Sequence, residues 1–145
     1  MRDQRTYLTK NQLAEICGIT PPLVRQLTRD GTIAPRFVVR GAAPNVRRVM
    51  FRPEAVASVL LLEELQNIFG VQSPTPKRTV AQLTDRIEAR WLSPDEPVEL
   101  QIRSGSVTVS ADLGFLRRAQ QLIAQWRVGV TTDVTVGSRF AGAPR

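Results

Sequence analysis

The side chains with the clearest chemical potential form one face of a short predicted helix over residues 21–29. The residues that lie away from its apolar positions are Thr20, Pro22, Arg25, Gln26 and Arg29. A guanidinium group can make two hydrogen bonds to O6 and N7 of guanine, and a glutamine amide can pair in the same way with N6 and N7 of adenine. We interpret this face as a surface that reads bases in a DNA major groove; the alternative is an ordinary solvated helix face.

A second set of cations follows the helix in a segment with strand-like alternation. Runs 37–40 and 46–51 are separated by the turn-forming sequence of residues 41–45, which predicts a β-hairpin with a long loop. The basic residues in and beside this hairpin are Arg36, Arg40, Arg47, Arg48 and Arg52. They could bind phosphates or enter a minor groove. The alternative is charge that protects a sheet edge from pairing with other chains.

The positive charge of the chain is concentrated in its first third. The formal net charge is +7, with 20 Lys and Arg against 13 Asp and Glu. Residues 1–52 hold ten of the basic residues and three of the acidic ones, whereas basic and acidic residues are balanced over 53–145. Such concentration on one module is typical of a surface that binds a polyanion.

Two short helices joined by a tight turn are predicted over residues 8–31. Thr9 can cap the first helix, with Gln12 at the third helical position as a capping box requires. Gly18 ends this helix, because glycine adopts a positive φ without strain. Thr20 can cap the second helix. Two prolines follow in the first turn of this helix, where a missing N–H costs nothing.

The spacing of Ala14, Gly18, Val24 and Leu27 resembles the helix-turn-helix of DNA-binding proteins. The continuation to about residue 65 resembles the winged helix-turn-helix of the MerR family and of phage excisionases. It is also similar to the N-terminal domain of some phage terminase small subunits. The further residues that carry the resemblance are Gly31, Ile33, Pro35, Phe51, Arg52, Pro53 and Glu54. The resemblance covers about residues 5–70 and implies binding to double-stranded DNA, commonly as a symmetric dimer on paired half-sites.

The middle of the chain predicts a third helix over residues 53–69, then a linker and a fourth helix. The third helix would have a single inner face, formed by Val56, Val59, Leu60, Leu65, Ile68 and Phe69. Two prolines in 72–77 indicate the linker. A single amphipathic helix is predicted over 79–91. Its apolar stripe is formed by Val80, Leu83, Ile87 and Trp91. This stripe is a candidate oligomerisation seam, and packing within one chain is the alternative reading.

The last third predicts a ββαβ unit. Two strands with a turn at Ser104–Gly105 would pair Ile102 with Val107, because that register puts the apolar residues on one face. A helix capped by Asp112 would run to about Arg127, and alternating valines in 128–136 predict a third strand. The sequence shows no long C-terminal helix of the kind by which MerR proteins dimerise.

The composition gives little support for catalysis or for metal and cofactor binding. The chain contains no histidine, the commonest general base, and its one cysteine, Cys17, lies on an apolar helix stripe. It has no Cys/His cluster, no phosphate-binding GxxxxGK[ST] and no GxGxxG. No apolar run approaches the roughly 20 residues of a membrane span. We therefore expect a cytoplasmic protein that is not an enzyme and binds no metal or cofactor; the resemblance implies that it is bacterial or phage-encoded.

These observations predict an α+β protein in four parts. Residues 1–70 would form the winged helix-turn-helix, 71–97 a linker with an amphipathic helix, 98–137 an assembly or partner-binding unit, and 138–145 a tail. The leading hypothesis is a sequence-specific regulator of transcription that acts as a homo-oligomer, most simply a dimer. The alternatives are a phage packaging protein or excisionase with the same reader domain, and an adaptor that binds protein instead of DNA.

Overall fold

Short strands and helices together form an α+β fold, as predicted. A computed structural model describes residues 7–40, 49–92, 99–104, 107–112 and 114–136. The strands are β1 (Leu8–Thr9), β2 (Val38–Arg40), β3 (Val49–Phe51), β4 (Glu99–Ser104) and β5 (Val107–Asp112). The helices are α1 (Lys10–Cys17), α2 (Pro21–Arg29), α3 (Glu54–Phe69), α4 (Thr75–Gln82), α5 (Thr84–Arg90) and α6 (Gly114–Val136), with one 3₁₀ turn at Pro35–Phe37.

Helices α1 and α2 begin and end where the sequence supplies caps. The Thr9 hydroxyl accepts the Gln12 backbone N–H at 3.1 Å, and the Gln12 side chain accepts the Thr9 N–H at 2.9 Å. Gly18 follows α1 in the left-handed region, with φ of 71°. The Thr20 hydroxyl then accepts the N–H of Leu23 at the start of α2. The local predictions for both helices are confirmed.

The first sheet contains the predicted hairpin and one further strand. Its order is β1-β3-β2, and both neighbours run antiparallel to β3. Phe51 pairs with Leu8 on one side and with Val38 on the other. Its ring is buried with that of Phe37, so the inner face of this sheet closes the core beside α1.

Helix α3 lies at the centre of the molecule. It contacts α1, α4, α5 and α6, and every residue from 54 to 62 is buried. A single inner face was predicted, and that prediction is wrong for this half of the helix because neighbours cover all its sides. At the other end Ile68, expected inside, is half exposed. Gly70 then ends α3 at φ of 95° and ψ of 150°.

The predicted linker at 72–77 and the single helix at 79–91 are both corrected. Helix α4 already begins at Thr75, because Pro76 lies in its first turn, where its missing N–H costs nothing. The helical segment is divided at Leu83. There the Thr84 hydroxyl donates to the Ala81 carbonyl at 2.9 Å and competes with the helical hydrogen bonds of the next turn.

The predicted oligomerisation stripe lies in the core of a single chain. Val80 and Ile87 are completely buried, and Leu83 and Trp91 pack against the same cluster. Buried residues of α1, α2, α3, α4, α5 and α6 all belong to that one cluster. The stripe is therefore accounted for by packing within the chain.

The C-terminal unit differs from the predicted ββαβ in register and in its last element. Strands β4 and β5 are antiparallel, but Ile102 pairs with Val109 and Ser104 with Val107. A shift of two residues keeps every side chain on its face, so alternation alone cannot distinguish the two registers. Asp112 is the last residue of β5, and α6 begins at Gly114.

The predicted third strand at 128–136 is helix. Helix α6 runs for 23 residues, which also corrects the expectation that the chain lacks a long C-terminal helix. Extending an existing helix adds one hydrogen bond per residue without a new nucleation cost. A strand would instead require a pairing partner, and in the described part of the chain the second sheet consists of β4 and β5.

Candidate nucleic-acid interface

A groove of about 660 Å³ lies between the first turn of α1, helix α2 and the strands β2 and β3. Four cationic side chains line it: Lys10, Arg25, Arg29 and Arg40. The polar side chains of Thr9, Asn11 and Thr28 also line it, together with Val49 and Phe51. Among the described residues that line the groove none is acidic, so this lining carries a net positive charge.

The four cations carry uncompensated charge. Within the described ranges, no carboxylate forms an ion pair with any of them. Arg25, Arg29 and Arg40 are exposed, and Lys10 is half-buried beside them. Full positive charges without an internal partner, arranged around one concavity, favour binding of an anion.

The face of the second helix that was predicted to lie away from the core is exposed in α2. Thr20, Pro22, Arg25, Gln26 and Arg29 are all accessible, whereas Val24 and Leu27 are buried against the core. Leu23, the other apolar residue of this helix apart from its prolines, is only partly buried. Arg25 and Arg29 face the groove, while Pro22 and Gln26 do not line it.

Arg52, predicted to contact phosphate, is bound inside the molecule. Its guanidinium lies 2.8 Å from an oxygen of Glu54 and 3.0 Å from one of Glu88, with 17% of its side chain exposed. It also lies over the Phe37 ring, 5.9 Å from the ring centre. The carboxylate of Glu54 is itself only 2% exposed. Arg52 therefore joins the start of α3 to α5 instead of presenting charge to a ligand.

Arg36 is likewise paired with carboxylates of α5. It lies 2.6 Å from Asp85 and 2.7 Å from Glu88. The hydrogen bond from Arg36 lowers the pKa of Glu88 below its usual range, and the bond from Arg52 acts in the same direction. The charge of Arg36 is thus compensated, and this residue lies outside the groove.

The C-terminal end of α2 is attached to α4 by a further ion pair. Asp30 accepts hydrogen bonds from the backbone and hydroxyl of Thr32, and Lys77 lies 2.9 Å from its second oxygen. Partial burial alone would raise the pKa of Asp30, but the bonds from Lys77 and Thr32 hold it below its usual value. Lys77 therefore neutralises the one acidic residue that directly follows α2.

The remaining predicted contacts, Arg47 and Arg48, lie outside the described residues. Sequence reasoning named three of the groove residues, Arg25, Arg29 and Arg40, and missed the others, among them Lys10 and Asn11 in the first turn of α1. Lys10 was visible as one of the basic residues of the first third. Its place beside Arg40 depends on the pairing of β1 with β3, which no local pattern predicts.

Other kinds of site find no support in the described part of the chain. It contains no group of three or more His, Cys, Asp or Glu side chains placed to hold a metal ion. Burial raises the pKa of the Cys17 thiol to about 12, so this thiol stays protonated and acts as a packing residue. Among the described helices, none combines the length and apolar composition that a membrane span requires.

The comparisons with known proteins identify no relative. No family model matches this chain, and neither a curated protein nor a solved structure does so.

Proposed function

We propose that this protein binds double-stranded DNA in a sequence-specific manner. The observation that carries the proposal is the distribution of compensated and uncompensated charge. Arg36, Arg52 and Lys77 are neutralised by carboxylates, whereas the cations that line the groove beside α2 have no such partner among the described residues. These four cations therefore form one uncompensated cluster beside the exposed polar face of α2.

The arrangement that we propose is a winged helix-turn-helix. In it α2 enters the major groove, α1 supports α2, and the hairpin of β2 and β3 forms the wing. Support comes from the contact between α1 and α2, from the burial of the small Ala14 on α1, and from the left-handed Gly18 between the two helices. The protein would act as a dimeric, MerR-like regulator of transcription; a phage packaging protein or excisionase with the same reader is the alternative.

A binding titration with the full chain tests the proposal. The affinity for a random duplex is measured by fluorescence anisotropy over a salt series, and a random library is then selected for bound sequences. Binding that weakens steeply with salt, together with enrichment of one common motif, is the expected result. Absence of binding at low salt would refute DNA as the ligand, and binding without a motif would refute sequence specificity.

A charge-matched pair of double variants tests the location of the site. Arg25→Ala with Arg29→Ala removes two charges from the groove, and Arg78→Ala with Arg86→Ala removes two exposed charges from α4 and α5. We expect the first variant to lose at least tenfold in affinity and the second to stay within about twofold of the wild type, because Arg78 and Arg86 do not line the groove and salt screens charges outside the contact. Equal losses would show attraction to general positive charge and no specific site.

Native mass measurement of the protein–DNA complex separates the two biological roles. A dimer on the selected site favours regulation, and a large ring favours packaging.

A further inference from the structure

We infer that the groove holds the phosphodiester backbone of one DNA strand, and that bases are discriminated on the outer side of α2, at Pro22 and Gln26. This inference rests on the proposed function and assigns a role to each side of the helix. Arg25, which the sequence predicted to contact bases, would instead bind the DNA backbone. Lys10, in the first turn of α1, would be an additional contact.

The first argument is the convergence of charge from separate elements. In the sheet order β1-β3-β2, Arg40 pairs with Val49 and Thr9 with Met50, so Arg40 and Lys10 lie at the same end of the two outer strands. Outer strands of a three-stranded sheet lie about 10 Å apart. Arg40, at the end of β2, and Lys10, directly after β1, can therefore contact one phosphate, or two consecutive phosphates, between them.

The second argument is the chemistry of the lining. A phosphodiester carries a full negative charge and accepts hydrogen bonds only, whereas a base edge carries no net charge even where, as in guanine, it presents two acceptors. The described residues of the groove offer four cations and the exposed Asn11 amide, and none of them is a carboxylate that could accept a hydrogen bond from the amino group of a base. Such a lining matches a phosphate better than a base edge.

The third argument is the position of the side chains around α2. At 100° per residue, Thr28, Arg25 and Arg29 follow one another over one side of the helix, and this side lines the groove. Pro22 and Gln26 are exposed beyond Arg29 and do not line the groove. The Thr28 hydroxyl already donates to the Val24 carbonyl at 2.8 Å, which leaves the arginines as the donors of the groove side. Gln26 is thus free to meet a base edge.

Neutral linkages in the DNA provide the test. The probe is the selected duplex carrying a single methylphosphonate, which removes one backbone charge, placed at each linkage in turn. With the full-length wild type, we expect a methylphosphonate at one or two adjacent linkages to weaken binding by tenfold or more. Lys10→Ala and Arg40→Ala should each bind the unmodified duplex more weakly, and the penalty at those same linkages should fall to about twofold.

Salt dependence and sequence preference separate the two roles. Lys10→Ala, Arg40→Ala and Arg25→Ala should each lower the slope of log affinity against log salt by about one unit. Each should leave the ratio of selected to random affinity within twofold of the wild type. Gln26→Ala should keep the salt slope and reduce that ratio by about tenfold.

The outcomes that overturn the inference differ from those that overturn DNA binding. If the wild type fails to bind the unmodified duplex, the proposed function itself is wrong. If it binds, but Lys10→Ala and Arg40→Ala retain the full methylphosphonate penalty, no shared backbone site exists. A loss of sequence preference in Arg25→Ala with an unchanged salt slope would return Arg25 to base reading and refute the assignment.

Discussion

Replacing Arg52 with methionine distinguishes the role predicted from the sequence from the one that the structure assigns. If Arg52 holds a phosphate, the variant should fold normally and bind DNA less well. If it holds α3 to α5, the variant should lose stability first. Methionine preserves much of the length of the side chain and removes its charge, so the change tests the ion pairs more than the packing volume.

The magnitude follows from burial. Glu54 is 2% exposed and lies 2.8 Å from Arg52, whose side chain is 17% exposed. Removing one partner of a buried pair leaves the other charge in a poorly solvated site, which costs about 3–5 kcal/mol. Because Arg52 retains some access to water, we expect the free energy of unfolding to fall by about 3 kcal/mol, at the lower end of that range.

Urea denaturation at pH 7, followed by circular dichroism, measures this loss. Arg36→Met is the matched control, because Arg36 shares the carboxylate of Glu88 but is half exposed, so its loss should be much smaller. The double variant Arg52→Met with Glu54→Leu should recover a large part of the stability, since an apolar pair can replace a buried ion pair at little cost. Unchanged stability of Arg52→Met combined with weaker DNA binding would refute the reasoning.

Three further predictions concern packing, backbone conformation and pH. Ile87→Ala should lower the free energy of unfolding by about 2–5 kcal/mol in urea, with an unchanged sedimentation coefficient, because Ile87 lies in the core of one chain. A change of oligomeric state without loss of stability would show instead that Ile87 lies in an oligomer interface. Gly70→Ala should lower the free energy of unfolding by about 1–3 kcal/mol in the same urea assay. An added Cβ would meet no atom within 4 Å, so the loss would come from backbone strain at φ of +95° alone. An unchanged urea midpoint would contradict this. The pKa of Glu88 is lowered in the folded protein, so this carboxylate stabilises the fold above its ordinary pKa of 4.5, and the stabilisation is lost as pH falls through the lower folded value. The free energy of unfolding of Glu88→Gln should therefore change less between about pH 2 and pH 5 than that of the wild type. Equal pH dependence in the two proteins would show that the pairing with Arg36 is absent.

The sequence by itself determined the elements whose hydrogen bonds are local. Thr9, Gln12, Gly18 and Thr20 act within four residues of their own positions, so the bounds of α1 and α2 could be derived without knowledge of the rest of the chain. The exposed face of α2 followed in the same way, because helical periodicity separates it from the buried Val24 and Leu27. The strands of the hairpin were also visible in the alternation of their residues.

The tertiary structure alone decided which cations are available. Arg36 and Arg52 resemble Arg25 and Arg40 in sequence, yet their partner Glu88 lies 52 and 36 residues away along the chain. It likewise decided that neighbours enclose the first half of α3, and that the valines after residue 127 continue α6. Long-range contacts set these outcomes, because the energy of an ion pair or a buried face depends on what the fold brings against it, and a local pattern does not contain that information.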